Sequence, residues 1–114
     1  MGPQMEAILV ITNLPDQEAA RRLAGRLVEE RLAACVNILA PCESVYRWQG
    51  QIETGQEIML LIKTLSAHYG KVEKIIQQWH PYELPEIIAV PIAAGLPAYL
   101  EWLAAETVPL TPPL

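Results

Sequence analysis

Residues 33–63 decide how this chain folds. They run Ala33-Ala34-Cys35-Val36-Asn37-Ile38, pause at Leu39-Ala40-Pro41, and resume through Val45-Tyr46-Arg47-Trp48 to Gln49-Gly50. The chain then returns through Ile52 to Ile58-Met59-Leu60-Leu61-Ile62-Lys63. Both limbs carry the β-branched and aromatic residues that suit a pleated surface. Trp48-Gln49-Gly50-Gln51 reads as a tight turn, because Gly50 tolerates positive φ. Residues 33–48 and 51–63 are therefore one long hairpin. Pro41 has no N–H to donate, which predicts a bulge or an unpaired position there. Gly55 is expected to mark a second irregularity.

Upstream, Ala7-Ile8-Leu9-Val10-Ile11-Thr12 is a short apolar run, the signature of a strand buried on both faces. Asn13-Leu14-Pro15 is expected to break it. Asp16 is a helix N-cap, with Glu18 favoured in the first turn. Ala20, Leu23, Ala24, Leu27 and Val28 keep the helical period to about Arg31, and Arg26 is placed to pair with Glu29 or Glu30. Downstream, Ser66 is expected to cap a second helix with Val72, Ile75, Ile76 and Trp79 as its apolar stripe. His80-Pro81 ends it, since the residue before proline avoids helical backbone. Glu86–Ile92 reads as a buried strand, with Pro91 marking an edge or an end. Pro97 opens a final helix over Ala98–Glu106.

The predicted order is strand, helix, strand, strand, helix, strand, short helix. This is an α+β fold of the split βαβ, ferredoxin-like kind (βαββαβ plus a C-terminal helix). It implies an antiparallel sheet of order 4-1-3-2 with both main helices on one face. The other face should be polar at alternate positions, yet Ile8–Ile11 and Ile58–Ile62 offer no polar face. Covering such side chains is worth roughly 1.5–3 kcal/mol each, and a long apolar edge strand is a pairing hazard. Both features predict a closed homo-oligomer.

Length and composition set the bounds. The chain has 114 residues, so one domain is expected. Hydrophobic residues make up 52% and charged residues 18%, which excludes a disordered chain. Eight Lys and Arg against 13 Asp and Glu give a net charge of −5, which argues against nucleic-acid binding. No apolar run reaches the roughly 20 residues a membrane helix needs. Residues 1–4 do not resemble a secretory leader, and Met5 is a candidate natural start. Cys35 and Cys42 form neither a disulfide ladder nor a C-x-x-C pair, and free thiols suit a reducing, cytoplasmic setting. Residues 1–5 are expected to be disordered or extraneous, 6–106 to form the domain, and 107–114 to be a Pro-rich surface tail.

Four motifs then carry a resemblance. They are Arg31-Leu32-Ala33-Ala34-Cys35-Val36-Asn37-Ile38, Tyr46-Arg47-Trp48-Gln49-Gly50-Gln51-Ile52-Glu53, His80-Pro81-Tyr82-Glu83-Leu84-Pro85-Glu86-Ile87-Ile88, and Tyr99-Leu100-Glu101-Trp102. Glu57 and Ile62-Lys63-Thr64 lie between them. Together they resemble the CutA family of divalent-cation tolerance proteins, from about residue 6 to residue 106. The resemblance implies a homotrimer held by edge-strand pairing, similar at fold level to the PII signalling proteins. It also implies a link to copper and other divalent cations, with no settled biochemical activity and no required cofactor.

Cys35 and His80 match the positions of the family's proposed copper ligands, and thiolate with imidazole suits copper. The plainer readings are a packed thiol in an apolar strand and an imidazole capping a helix C-terminus. Cys42 reads as a loop thiol. Tyr46, Trp48, Glu53, Glu57, Lys63 and Tyr82 form a second constellation, either a subunit interface or the wall of an intersubunit pocket for a small ligand. Glu57 and Lys63 are candidates for an ion pair. Catalysis has little support: there is no G-x-S-x-G, no phosphate-cradling glycine loop, and the single aspartate, Asp16, serves as a cap. Asn13-Leu14-Pro15-Asp16 is neither a copper-chaperone C-x-x-C nor an acylphosphatase loop. The aromatic-free run Ile58–Ile62 excludes an RNA-recognition module. Two function classes remain, a trimeric ion-response protein and a PII-like regulatory or scaffold module that binds a small ligand or a partner protein.

Overall fold

A computed structural model describes residues 6–107. The strands are β1 (Ala7–Leu14), β2 (Cys35–Ile38), β3 (Cys42–Trp48), β4 (Gln51–Leu65) and β5 (Ile87–Pro91). The helices are α1 (Gln17–Glu29), α2 (Tyr69–Trp79) and α3 (Pro97–Glu106). The fold is mixed α+β with an antiparallel sheet of order β2-β4-β1-β5, and β3 pairs with the outer half of β4. The expected tail begins at Thr107, which is buried and bonds through its hydroxyl to the Leu103 and Ala104 carbonyls. The rest of that tail, 108–114, and the expected N-terminal appendage, 1–5, lie outside the described residues.

Alternation along β1 and β4 separates two faces. Ile8, Val10 and Leu14 of β1 and Ile58, Leu60 and Ile62 of β4 point to one side, where they pack on Ala20, Leu23 and Leu27 of α1 and Val72 and Ile76 of α2. Asp16 caps α1 as expected, its carboxylate accepting from the Ala19 N–H at 2.8 Å, and Arg26 pairs with Glu30. Val28 and Trp79 both depart from the expected stripes and are exposed, with the Arg26 guanidinium 5.5 Å from the Trp79 ring centre. The helix α2 begins at Tyr69 after one 3₁₀ turn, Ser66–His68, rather than at Ser66. The expected break at Asn13 is also displaced. Asn13 and Leu14 stay in the ladder because Met59 and Ile58 are there to pair with them.

The second face is only partly covered. At one end α3 lays Leu103 over Ala7 and Leu65, with Ala34, Ile92 and Leu100 around it. The C-terminal helix thus does more than the sequence pattern suggested. Beyond its reach, Leu9, Ile11, Met59 and Leu61 are half-buried, and Ile88 and Val90 are exposed.

The outer half of β4 leaves this body with β3 as a two-stranded arm, giving a molecule of 51 × 31 × 23 Å. Pairing through Ser44 and Gly55 is regular, so the irregularity expected at Gly55 is absent. The Tyr46 hydroxyl instead lies 4.0 Å from where a Gly55 side chain would begin.

Leu60 is fully buried at the centre of the helix-covered face. Leu60→Ala is expected to cost about 2–5 kcal/mol, read from the shift of the denaturant midpoint at unchanged slope.

Candidate functional site

Two local rules position the aromatic residues. The turn residues Gln49 and Gly50 have φ of 49° and 80°. Positive φ at both positions makes the tight two-residue turn whose twist matches its strands. That turn sets Trp48 opposite Gln51 and hence Tyr46 opposite Glu53 and Cys42 opposite Glu57. The core independently sets Cys35 opposite Lys63 and Ile38 opposite Leu60. The two registers differ by one residue, and the Leu39–Pro41 segment absorbs it as the bulge Pro41 predicts. The slip matters because one residue of register exchanges faces. It puts Ser44, Tyr46 and Trp48 on the same side of the ribbon as Glu57.

On that side lies a pocket of about 760 Å³, in the size range of small-molecule sites. The arm contributes Ser44, Val45, Tyr46, Trp48 and Glu57 to its wall. The connection from α2 to β5 supplies Pro81, Tyr82, Glu83, Leu84 and Glu86, and Asn13 stands at the end of β1 between the two.

Hydrogen bonds fix the inner wall. The Asn13 amide donates to Glu86 at 3.0 Å. The backbone carbonyl of Asn13 lies 2.5 Å from His80 Nε2, and His80 Nδ1 accepts the Tyr82 N–H at 3.1 Å. Nε2 must therefore carry the proton and the ring is neutral. The His80 and Tyr82 rings touch, with centres 4.7 Å apart. Burial pushes the Tyr82 hydroxyl up to about 12, and the negative charge of the nearby Glu57 carboxylate adds to this. The Asn13 side-chain oxygen is buried and has no hydrogen-bond partner among the described residues.

Of the residues singled out in the sequence, Tyr46, Trp48, Glu57 and Tyr82 meet in this pocket. Glu53 lies opposite Tyr46 on the arm and outside the wall. The expected Glu57–Lys63 ion pair is not formed. The two lie six residues apart on one strand, roughly 20 Å, and the Lys63 ammonium sits 5.9 Å from the Tyr99 ring centre. Nor does one chain bring Cys35 and His80 together. Cys35 is half-buried and level with Lys63 and Leu9, whereas His80 binds Asn13, four residues further along β1 and roughly 13 Å away. Both His80 nitrogens are engaged, so the pair does not fit a copper site within a single chain. Among the described residues no three His, Cys, Asp or Glu side chains gather to hold an ion. Cys42 pairs opposite Glu57 within β3 and is half-buried rather than in a loop.

Sequence reasoning missed Asn13, taken for a strand breaker, and Glu83 and Glu86. The signal for the glutamates was present in the His80–Ile88 motif, which contains both of them.

Fold and pocket define the class: a mixed α+β domain with an antiparallel sheet, a projecting β-arm and an aromatic, acidic pocket at the arm's base. Comparison with known proteins gives the family. Residues 8–106 match the family described as CutA1 divalent ion tolerance protein. The divalent-cation tolerance protein CutA of Thermus thermophilus is 48% identical over 103 residues, covering 90% of this chain and 99% of that protein. The solved structure of a divalent cation tolerance protein from Thermus thermophilus superimposes with a TM-score of 0.88 at 46% identity, covering 90% of this chain and 99% of that one. That of CutA1 from Oryza sativa gives 0.89 at 41%, covering 94% and 98%. The chain belongs to the CutA family.

The Tyr82 hydroxyl supplies a test of the inner wall. Because its folded-state value lies above the usual 10, the unfolded chain loses this proton first as pH rises. Stability from this group is therefore full below pH 10 and declines between 10 and about 12. Glu57→Gln should return the Tyr82 titration toward the ordinary phenol range, read from phenolate absorbance against a Tyr82→Phe reference. An unchanged titration would contradict the Glu57 contact.

Proposed function

We propose that the chain works in divalent-ion tolerance as a non-enzymatic homotrimer that responds to a small ligand held in the pocket beneath the arm. This is closer to a PII-like regulatory module than to a copper chelator. The observation that carries the reading is the pocket: three aromatic rings and three carboxylates line it, while Cys35 and His80 stay apart. With β2 and β3 counted as one strand, the sheet order reads 4-1-3-2, which supports the ferredoxin-like assignment. Trimer formation is supported by the half-buried Leu9, Ile11 and Leu61 and the exposed Ile88 and Val90 on one face, since contiguous exposed apolar surface marks an interaction site. The unpaired outer edge of β3 offers a second chain further hydrogen bonds. The free thiols of Cys35 and Cys42 support a reducing compartment.

Native mass spectrometry of protein purified without chelator or ligand tests both parts at once. The expected species has about three times the 12.7 kDa subunit mass and carries added organic mass. A stable monomer would overturn the assembly. A trimer holding copper and no organic molecule would overturn the ligand reading. Ile88→Lys, on the uncovered face, should shift the assembly toward monomer in sedimentation and leave its helix-covered core intact.

A further inference from the structure

Resting on the reading that the pocket holds a small ligand, we propose that the ligand is a protonated organic amine, recognised by the rings of Tyr46, Trp48 and Tyr82 together with Glu57, Glu83 and Glu86. The lining residues include three carboxylates and no Lys, Arg or His. An anionic ligand would meet net repulsion from these carboxylates. A neutral ligand would leave the acidic wall without a counter-charge.

The rings decide between kinds of cation. A bare metal ion needs oxygen or nitrogen donors converging on one point, and no such group of three exists among the described residues. The carboxylates are spread around the wall, and Glu86 is already engaged by the Asn13 amide. Aromatic faces attract organic cations, whose charge is spread over a body with apolar surface. Trp48 and Tyr46 lean into the pocket from the arm and Tyr82 closes it from the α2–β5 connection, so an alkyl chain would lie between rings with its charged end among the glutamates.

Asn13, 8% exposed at the pocket wall, donates its amide to Glu86 and so fixes that carboxylate in place.

The test uses three probes of equal length on the intact assembly: hexylammonium, hexanol and hexanoate, titrated while the Trp48 indole resonance is followed by NMR. Hexylammonium should bind roughly ten-fold tighter than hexanol, with hexanoate weakest, and its advantage should shrink as salt is added. Glu83→Gln should reduce the preference for hexylammonium over hexanol. Trp48→Leu should weaken all binding, and where it disturbs assembly, Tyr82→Leu serves the same purpose with Tyr82 on the opposite wall. Equal affinity for hexanol and hexylammonium, or tighter binding of hexanoate, would overturn the amine assignment and leave a ligand pocket in place. Failure of all three probes to perturb Trp48 at millimolar concentration would overturn the assignment and the pocket reading together.

Discussion

The 15-residue strand β4 is the template on which everything else is registered. Its inner half pairs with β1 on one side and β2 on the other, and its outer half pairs with β3. The inner register is set by burial, because a one-residue slip would turn Leu60 and Ile62 from the helices toward the opposite face. The outer register is set by backbone geometry at Gln49 and Gly50. Two independent rules acting on one strand need not agree, and here they disagree by a single residue. The bulge at Leu39–Pro41 reconciles them. Proline suits that place because a residue with no N–H leaves no ladder donor unpaired. The consequence is chemical: Tyr46 and Trp48 share a side with Glu57 and Asn13, and a pocket forms where the arm leaves the body.

Much of this was legible in the residues. The long hairpin, the turn at Gly50, the interruption at Pro41 and the cap at Asp16 follow from local rules, and local rules do not depend on what lies elsewhere in the chain. What escaped depended on distant partners. Asn13 looked like the end of a strand because Pro15 follows, yet Met59 and Ile58 stand opposite and pair with its segment. Val28 carries the helical period but is left exposed. The reach of α3 over Ala7 and Leu65 could not be read from a helix whose apolar residues show no single stripe. The candidate site divides in the same way. Tyr46, Trp48, Glu57 and Tyr82 were identified as one group, but Lys63 was joined to Glu57 by type of charge when their spacing along an extended strand keeps them apart.

Function follows from what the arm and the α2–β5 connection bring together. His80 commits its donor to Asn13 and its acceptor to Tyr82, which makes it a brace for the pocket wall. Its role is to hold Tyr82 against Glu57 and the end of β1. The family's association with divalent ions is then compatible with a domain that senses a small molecule, and no ion need sit between Cys35 and His80.

The central claim is that core burial and the Gln49–Gly50 turn set the two registers separately, with Pro41 only taking up the difference. The most direct measurement is a crystal structure of the variant lacking Pro41. The account predicts a straight, unbulged strand in which Cys35 still faces Lys63, Tyr46 still faces Glu53, and the pocket keeps its wall. A structure in which the deletion instead shifts β3 along β4, carrying Tyr46 and Trp48 to the other side of the ribbon, would contradict it.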